Sequence, residues 1–142
     1  MQRKKMTVGF SDLANFMRAC EKLGDEQTVE ILQEAYQAAG DAIVAQGGKI
    51  HKYIGDMIMF SFTNAAKARK AAEEISHFSK KIGSVEIYFN TGLATGEVLL
   101  GKIGHPSAQF VDVIGRTVNH AALLQMKASK EKTRLEICPD TK

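Results

Sequence analysis

The sequence has few of the features that mark secreted or membrane proteins. It contains only two cysteines, Cys20 and Cys138; being so widely separated, they cannot form a disulfide framework, and we expect two reduced thiols. No stretch approaches the roughly 18 apolar residues that a membrane-spanning helix needs. The N-terminal MQRKKMTVGF passes from charge straight into a short strand, without the pattern of a signal peptide. These absences predict a cytoplasmic protein with no membrane segment.

Signals for nucleic-acid binding, zinc or a nucleotide-binding loop are equally scarce. The formal net charge is +3, and no basic stripe with interleaved aromatic residues is present. A charge of this size is nevertheless compatible with a phosphorylated small molecule as partner. The four histidines lack metal-ligand spacing. The glycines match neither GxxxxGKS/T nor GxGxxG, so tight hairpin turns and close backbone packing explain them better.

Composition and periodicity predict one domain over residues 1–142. Hydrophobic residues make up 44% and charged residues 25% of the chain, as in ordinary globular proteins that bury a core. We predict, in order, a strand at 6–10, helices from about 13 and 25, a hairpin at 49–62, a helix from 65, a hairpin turning at 95–96, an extended segment at 109–114, a helix at 116–126 and a strand at 134–138. This order predicts an α+β fold with a mainly antiparallel sheet and helices on one face.

Two aspartates stand where predicted strands end. Asp12 lies just before a helix, and Asp56 occupies the turn of the hairpin KIHKYIGDMIMFSF. Each has a structural interpretation, as a helix cap and as a turn residue respectively. If the first strand pairs beside this apolar hairpin, however, the two carboxylates converge at one sheet edge. A divalent cation such as Mg²⁺ would relieve their repulsion.

Single charges also occur inside apolar strands. Lys52 alternates with Ile50 and Ile54 and therefore shares their face, and Asp112 lies within FVDVIG. One interpretation is structural, a snorkelling lysine or a Lys–Asp ion pair. The other is a donor and an acceptor that read the edge of a base. Asn119, early in the last helix, has three open roles, as a cap, a solvated residue or a ligand-binding residue.

Together, four segments resemble the catalytic domain of the class III adenylyl/guanylyl cyclases, in family order and spacing. They are VGFSDLANF, GGKIHKYIGDMIMFSF, TGLATGEVLLGKIG and FVDVIGRTVNHAALL, and the likeness spans about residues 6–138. The resemblance implies a ferredoxin-like core and a head-to-tail homodimer with active sites between protomers. It also implies conversion of ATP to 3′,5′-cyclic AMP and pyrophosphate with two divalent cations.

The resemblance assigns a role to each singled-out residue. It makes Asp12 and Asp56 the metal-binding aspartates, Lys52 and Asp112 the adenine-selecting pair, and Asn119 the residue that orients the ribose. The backbone that would cradle the triphosphate belongs to Leu13, Ala14, Asn15, Phe16 and Met17.

Three departures from the family pattern bear on activity. Leu123, four residues after Asn119, stands where the family has its transition-state arginine, and Met17 stands where a threonine is common. The family's phosphate-binding lysine lies in a C-terminal hairpin that we do not find before Lys142. Two functions therefore stay open, a cyclase domain of reduced activity and a regulatory cyclase-homology domain that binds nucleotide or only dimerises. The candidate replacement cations are Lys102, Arg116 and Lys127.

Overall fold

The computed structural model describes residues 1–141. Its strands are β1 (Gln2–Ala14), β2 (Lys49–Ile54), β3 (Met57–Phe62), β4 (Ser79–Ile82), β5 (Val85–His105), β6 (Ala108–Ile114) and β7 (Leu135–Ile137). Its helices are α1 (Phe16–Ala19), α2 (Asp25–Ala45), α3 (Ala65–Ile75) and α4 (Arg116–Glu131), with a 3₁₀ turn at Pro139–Thr141. None of the helices within residues 1–141 is both long and apolar enough to span a membrane.

Within residues 1–141, seven strands form one sheet around β1. The order is β2-β3-β1-β5-β4, with β6 and β7 also paired to β5. β1 is antiparallel to both β3 and β5, and only the β5–β7 pairing is parallel. The order β2-β3-β1-β5, with helices after β1 and after β3, is that of a ferredoxin-like core. The predicted α+β class with a mainly antiparallel sheet is confirmed.

Apolar clusters cover the sheet. α2 and α3 pack over one face, as predicted, and bury Leu13, Phe60 and Leu93 completely or nearly so. α4 packs against a second cluster that contains Val8 and Phe10 of β1. Because side chains alternate along a strand, β1 supplies Leu13 to the first cluster and Met6, Val8 and Phe10 to the second. Both cysteines are free and buried.

The predicted hairpin at Thr95-Gly96 is wrong, because β5 runs through it as one 21-residue strand. Its glycines serve helix packing instead of a turn. A Cβ at Gly92 would lie 2.2 Å from the backbone nitrogen of Gln125, and one at Gly96 would lie 2.5 Å from the Thr117 Oγ1. Gly92 and Gly96 therefore let α4 approach β5 closely, which is the second of the two roles expected for these glycines.

The real turn lies about ten residues further on. β5 pairs with β6 from Leu99↔Ile114 to His105↔Ala108, so the extended segment at 109–114 is a strand. Gly104, with a φ of +131°, introduces the turn. β4 was not predicted, and the last helix continues to Glu131 rather than ending at Met126.

Candidate active site

Strand pairing brings the two predicted metal-binding aspartates together. Asp12 lies opposite Met57 in the β1–β3 register, directly beside the turn that carries Asp56. The Leu13 N–H donates to the Asp56 carbonyl oxygen at 3.1 Å and fixes this alignment. The Asp56 carboxyl is close enough to the Asp12 carboxyl to raise the pKa of that group. The convergence expected from the sequence is therefore present in a single chain.

The electrostatics of this pair suit a divalent cation. Burial, and after it the neighbouring carboxyl of Asp56 and its negative charge, together raise the pKa of Asp12 from its ordinary value of 3.8 to about 7. Two like charges in a partly buried place ionise together only with difficulty. Mg²⁺ is typically held by one or two carboxylates together with substrate phosphates. The donor set of Asp12 and Asp56 fits such an ion.

Tyr36 on α2 holds the turn that carries Asp56. Its hydroxyl donates to the Gly55 carbonyl oxygen, and its ring lies 4.5 Å from that of Tyr53, centroid to centroid. Burial, followed by the negative charge of Asp56, raises the pKa of Tyr36 to about 12. Gly55 has a φ of +60°, as the first central residue of a two-residue type II′ hairpin turn requires. In the sequence, Tyr36 keeps helical spacing with the apolar residues Leu32 and Ile43, which predicts only a place on the apolar face of the helix. Its hydroxyl is the one signal in the sequence of a polar role.

A cavity of about 430 Å³ lies beside the two aspartates. Its lining residues are Asp12, Leu13, Ala14, Asn15, Phe16, Met17, Arg18, Asp56, Tyr88, Asn90, Ser129 and Lys132. The whole segment predicted to cradle a triphosphate is thus on this wall. Asn15 turns the chain with a left-handed φ of 65°, and its Nδ2 donates to the Glu86 carbonyl oxygen at 2.9 Å. We call this space the aspartate cavity.

The predicted adenine-selecting residues meet in a different place. Lys52 Nζ lies 2.8 Å from Asp112 Oδ2, so the ion pair that one interpretation required is formed. Burial alone would raise the pKa of Asp112, but hydrogen bonds from Lys52 and from the Val113 N–H outweigh it and bring the pKa below its ordinary value. The pair lines a second cavity of about 380 Å³, the ion-pair cavity, together with His51, Ile103, Phe110 and Val111.

α4 keeps Asn119 away from both cavities. Asn119 is exposed near the start of the helix, and its backbone N–H donates to the Gly115 carbonyl oxygen at 3.1 Å. It lines neither the aspartate cavity nor the ion-pair cavity. Leu123 lies one turn further along the same helical face and is 62% exposed.

The cations beside the aspartates are not the three considered from the sequence. Lys127 pairs with Glu136 at 3.2 Å, and neither it, Lys102 nor Arg116 lines the aspartate cavity. Arg18 and Lys132 do. Sequence reasoning missed both because neither lies in a segment that resembles a family motif.

The raised pKa of Asp12 predicts how the stability of the metal-free protein depends on pH. The folded state holds this proton more tightly than the unfolded chain between about pH 4 and about pH 7, so stability falls as pH rises through that window. Thermal unfolding in chelator from pH 5 to pH 8 should show this decline in the wild type and much less of it in Asp12→Asn. Parallel curves for the two proteins would contradict the assignment.

Comparison with known proteins places the chain in a family. The sequence matches the family described as the adenylate and guanylate cyclase catalytic domain over residues 1–142. An adenylate cyclase from Streptomyces coelicolor is 27% identical over 135 residues, which cover 92% of this chain and 32% of that protein. The chain spans about a third or less of the length of the curated relatives it matches first.

Solved structures agree in fold over most of the chain. A bacterial light-regulated adenylyl cyclase has a TM-score of 0.87 and 26% identity, with 99% of this chain and 79% of that one covered. The guanylyl cyclase Cya2 has a TM-score of 0.71 and 25% identity, with 89% and 71% covered. The resemblance found in the four sequence segments is confirmed: the chain belongs to the adenylate and guanylate cyclase catalytic domain family.

Proposed function

We propose that residues 1–142 form a single nucleotide cyclase homology domain that converts ATP to 3′,5′-cyclic AMP and pyrophosphate in the cytoplasm. The observation that carries this proposal is the convergence of Asp12 and Asp56 beside a cavity lined by the segment 13–17. Family membership supports the reaction class, and Lys52 with Asp112 supports adenine as the base.

Each residue has a task in this reaction. Two divalent cations held by Asp12 and Asp56 would activate the ribose 3′-hydroxyl and neutralise charge on the phosphates. The backbone of the segment 13–17 binds the triphosphate, and Asn119 orients the ribose. Holding the 3′-hydroxyl in line with the α-phosphate removes most of the entropic cost of the attack. Tyr36 contributes indirectly, by fixing the turn from which Asp56 projects.

The distribution of these residues supports a head-to-tail homodimer. The aspartate cavity and the ion-pair cavity share no lining residue, and Asn119 lies on neither. One chain therefore carries the parts of a nucleotide site in separate places. In a head-to-tail pair, the aspartate cavity of one protomer meets the ion-pair cavity and α4 of its partner, so that two composite sites result.

The direct test is product formation. Purified protein is incubated with ATP and either Mg²⁺ or Mn²⁺, at concentrations high enough for dimerisation, and cyclic AMP is quantified. Cyclic AMP formation under either metal supports the proposal. The absence of cyclic AMP under both metals would refute the proposed cyclase activity.

A second candidate function is favoured by one observation, the leucine at position 123. A cyclase-homology domain without the arginine can bind nucleotide, or only dimerise, and so act as a regulatory module. ATP binding measured by calorimetry, in a protein that makes no cyclic AMP, would support this function over the first.

The base-reading role of the ion pair predicts a change in nucleotide preference. In the double variant Lys52→Glu with Asp112→Cys, adenine loses its hydrogen-bonding partners. Mismatched polar groups cost about 1–3 kcal/mol, so the preference for ATP over GTP should fall by about 5- to 150-fold. The measurement is kcat/KM for both nucleotides, or binding of both if turnover is slow.

Lys49→Glu is the matched control for this experiment. Lys49 lies on the same strand and is exposed, and it does not line the ion-pair cavity. An unchanged preference in a folded double variant would refute base reading and leave the ion pair with a structural role only.

A further inference from the structure

The aspartate cavity is bounded on one side by the C-terminal end of α4. Ser129 and Lys132 line it from that helix, and Asn90 lines it from β5. We propose that Lys132, positioned by Asn90, forms a subsite within one chain that binds the polyphosphate end of the nucleotide. This inference rests on the proposed function, because it concerns the ligand of the same cavity.

Lys132 has an unusual backbone conformation at the end of α4. It is the C-cap of α4, with φ 55° and ψ 39°, a left-handed backbone conformation that residues other than glycine rarely adopt. Its backbone N–H is used, since it donates to the Ala128 carbonyl oxygen. Its ammonium forms no ion pair with any carboxylate within residues 1–141. The helix therefore ends by presenting an uncommitted cation to the cavity.

Asn90 is a second, independent sign of a ligand. It is 1% exposed, and its Oδ1 has no hydrogen-bond partner in the described structure. Buried amide oxygens nearly always have one. Asn90 lies directly opposite Asp12 in the β1–β5 register, so both side chains project from the same side of the sheet. The unpartnered amide therefore lies deep in the cavity, beside the aspartates.

The two observations combine into one arrangement. A lysine ammonium has three donors and an amide oxygen is an acceptor. When Lys132 turns into the cavity, Asn90 Oδ1 accepts one of these hydrogen bonds, and two donors remain for phosphate oxygens. Asn90 is thus a positioning residue and Lys132 the group that touches the ligand.

Charge distribution decides the class of ligand. The cavity lining carries negative charge at Asp12 and Asp56 and positive charge at Arg18 and Lys132. Neither cation forms an ion pair with the two aspartates in the described structure. A polyphosphate accompanied by a divalent cation carries charges that complement both pairs. Both the substrate triphosphate and the product pyrophosphate have this chemistry.

The test compares three ligands by calorimetry on the full chain with Mg²⁺ present. They are α,β-methylene-ATP, which cannot be cyclised, inorganic pyrophosphate, and AMP, which lacks the polyphosphate. Lys132→Ala should weaken binding of the first two by about tenfold, because a charge-assisted hydrogen bond is lost, and leave AMP unchanged. Weaker binding of the triphosphate alone assigns the subsite to substrate; weaker binding of pyrophosphate as well assigns it to both.

Lys130→Ala is the matched control, since it removes the same charge from the same helix and Lys130 does not line the cavity. It should change affinity less than twofold, and Lys132→Arg should restore most of the lost binding. Asn90→Leu should weaken polyphosphate binding without lowering the melting temperature. In the Lys132→Ala background it should add nothing, since both changes remove one interaction.

Several outcomes overturn the inference. Equal losses of affinity in Lys130→Ala and Lys132→Ala would mean that general positive charge, rather than a subsite at Lys132, explains the binding. Full affinity in Lys132→Ala would refute the subsite outright. In both cases binding by the wild type leaves the proposed cyclase function intact. Failure of the wild type to bind either polyphosphate would overturn the subsite and the proposed function together.

Discussion

Replacing Asp56 by alanine is expected to lower cyclic AMP formation by at least about 100-fold. The carboxylate is one of two that would hold the divalent cations, and a catalytic metal supplies several kcal/mol of charge stabilisation in the transition state. Each 1.36 kcal/mol corresponds to a factor of ten in rate. The loss should appear in kcat with either Mg²⁺ or Mn²⁺.

The same variant separates lost function from lost fold. Removing Asp56 removes the neighbouring carboxyl that helps to raise the pKa of Asp12, so the metal-free protein should unfold at an equal or higher temperature at pH 8. Asp41→Ala is the control, because Asp41 is exposed on α2 and its carboxylate accepts a hydrogen bond from Gln37 Nε2 at 3.0 Å. Full activity in Asp56→Ala would show that these carboxylates do not hold the catalytic metal.

Replacing Leu123 by arginine is expected to raise cyclic AMP formation by at least about tenfold. In the family pattern this position carries the arginine that neutralises charge in the transition state. Arginines in this role contribute about 10³ to 10⁵ in rate to phosphoryl-transfer enzymes, and a newly placed side chain should recover part of that. Leu123 is 62% exposed, so residues 1–141 leave room for the longer side chain.

Met126→Arg is a closely matched control for the gain. Met126 lies three residues further along α4 and is 60% exposed, so the change adds the same charge to the same helix. It should leave activity within about twofold of the wild type, because solvent-exposed charges have small effects. Equal gains from both variants would mean that added positive charge, rather than a placed guanidinium, accounts for the increase.

The fold was largely predictable because its strong signals are local. Gly55-Asp56 gave the hairpin turn. The prediction that Lys52 shares a face with both Ile50 and Ile54 was wrong for Ile50, because a β-bulge between Ile50 and Lys52 pairs Ile50 with Phe60 and Lys52 with Met59, which face opposite sides of the sheet. The prediction of a hairpin at Thr95-Gly96 was wrong because glycine is typical both of turns and of positions where a helix packs closely on a strand. Only the packing of α4 against Gly92 and Gly96 distinguishes the two, and that packing joins residues far apart in sequence.

The site was predictable to the same depth. Asp12 and Asp56 could be placed together because one strand pairing suffices. Asn90 and Lys132 could not be placed from the sequence. The position of Asn90 depends on the register of β5 with β1, and that of Lys132 depends on where α4 ends. Tyr36 shows a third case: its ring fits the apolar helix face that periodicity predicts, and the bond from its hydroxyl to Gly55 appears only when α2 lies against the hairpin.

The unbroken course of β5 has a mechanical consequence. Its first half gives Tyr88 and Asn90 to the aspartate cavity, and its second half gives Ile103 to the ion-pair cavity. One hydrogen-bonded strand thus connects the two cavities of a protomer. In the proposed head-to-tail homodimer, opening or closing around nucleotide would then involve rotation of whole protomers about their interface. Each β5 would transmit that rotation from one active site to the other, so the two sites would open and close together.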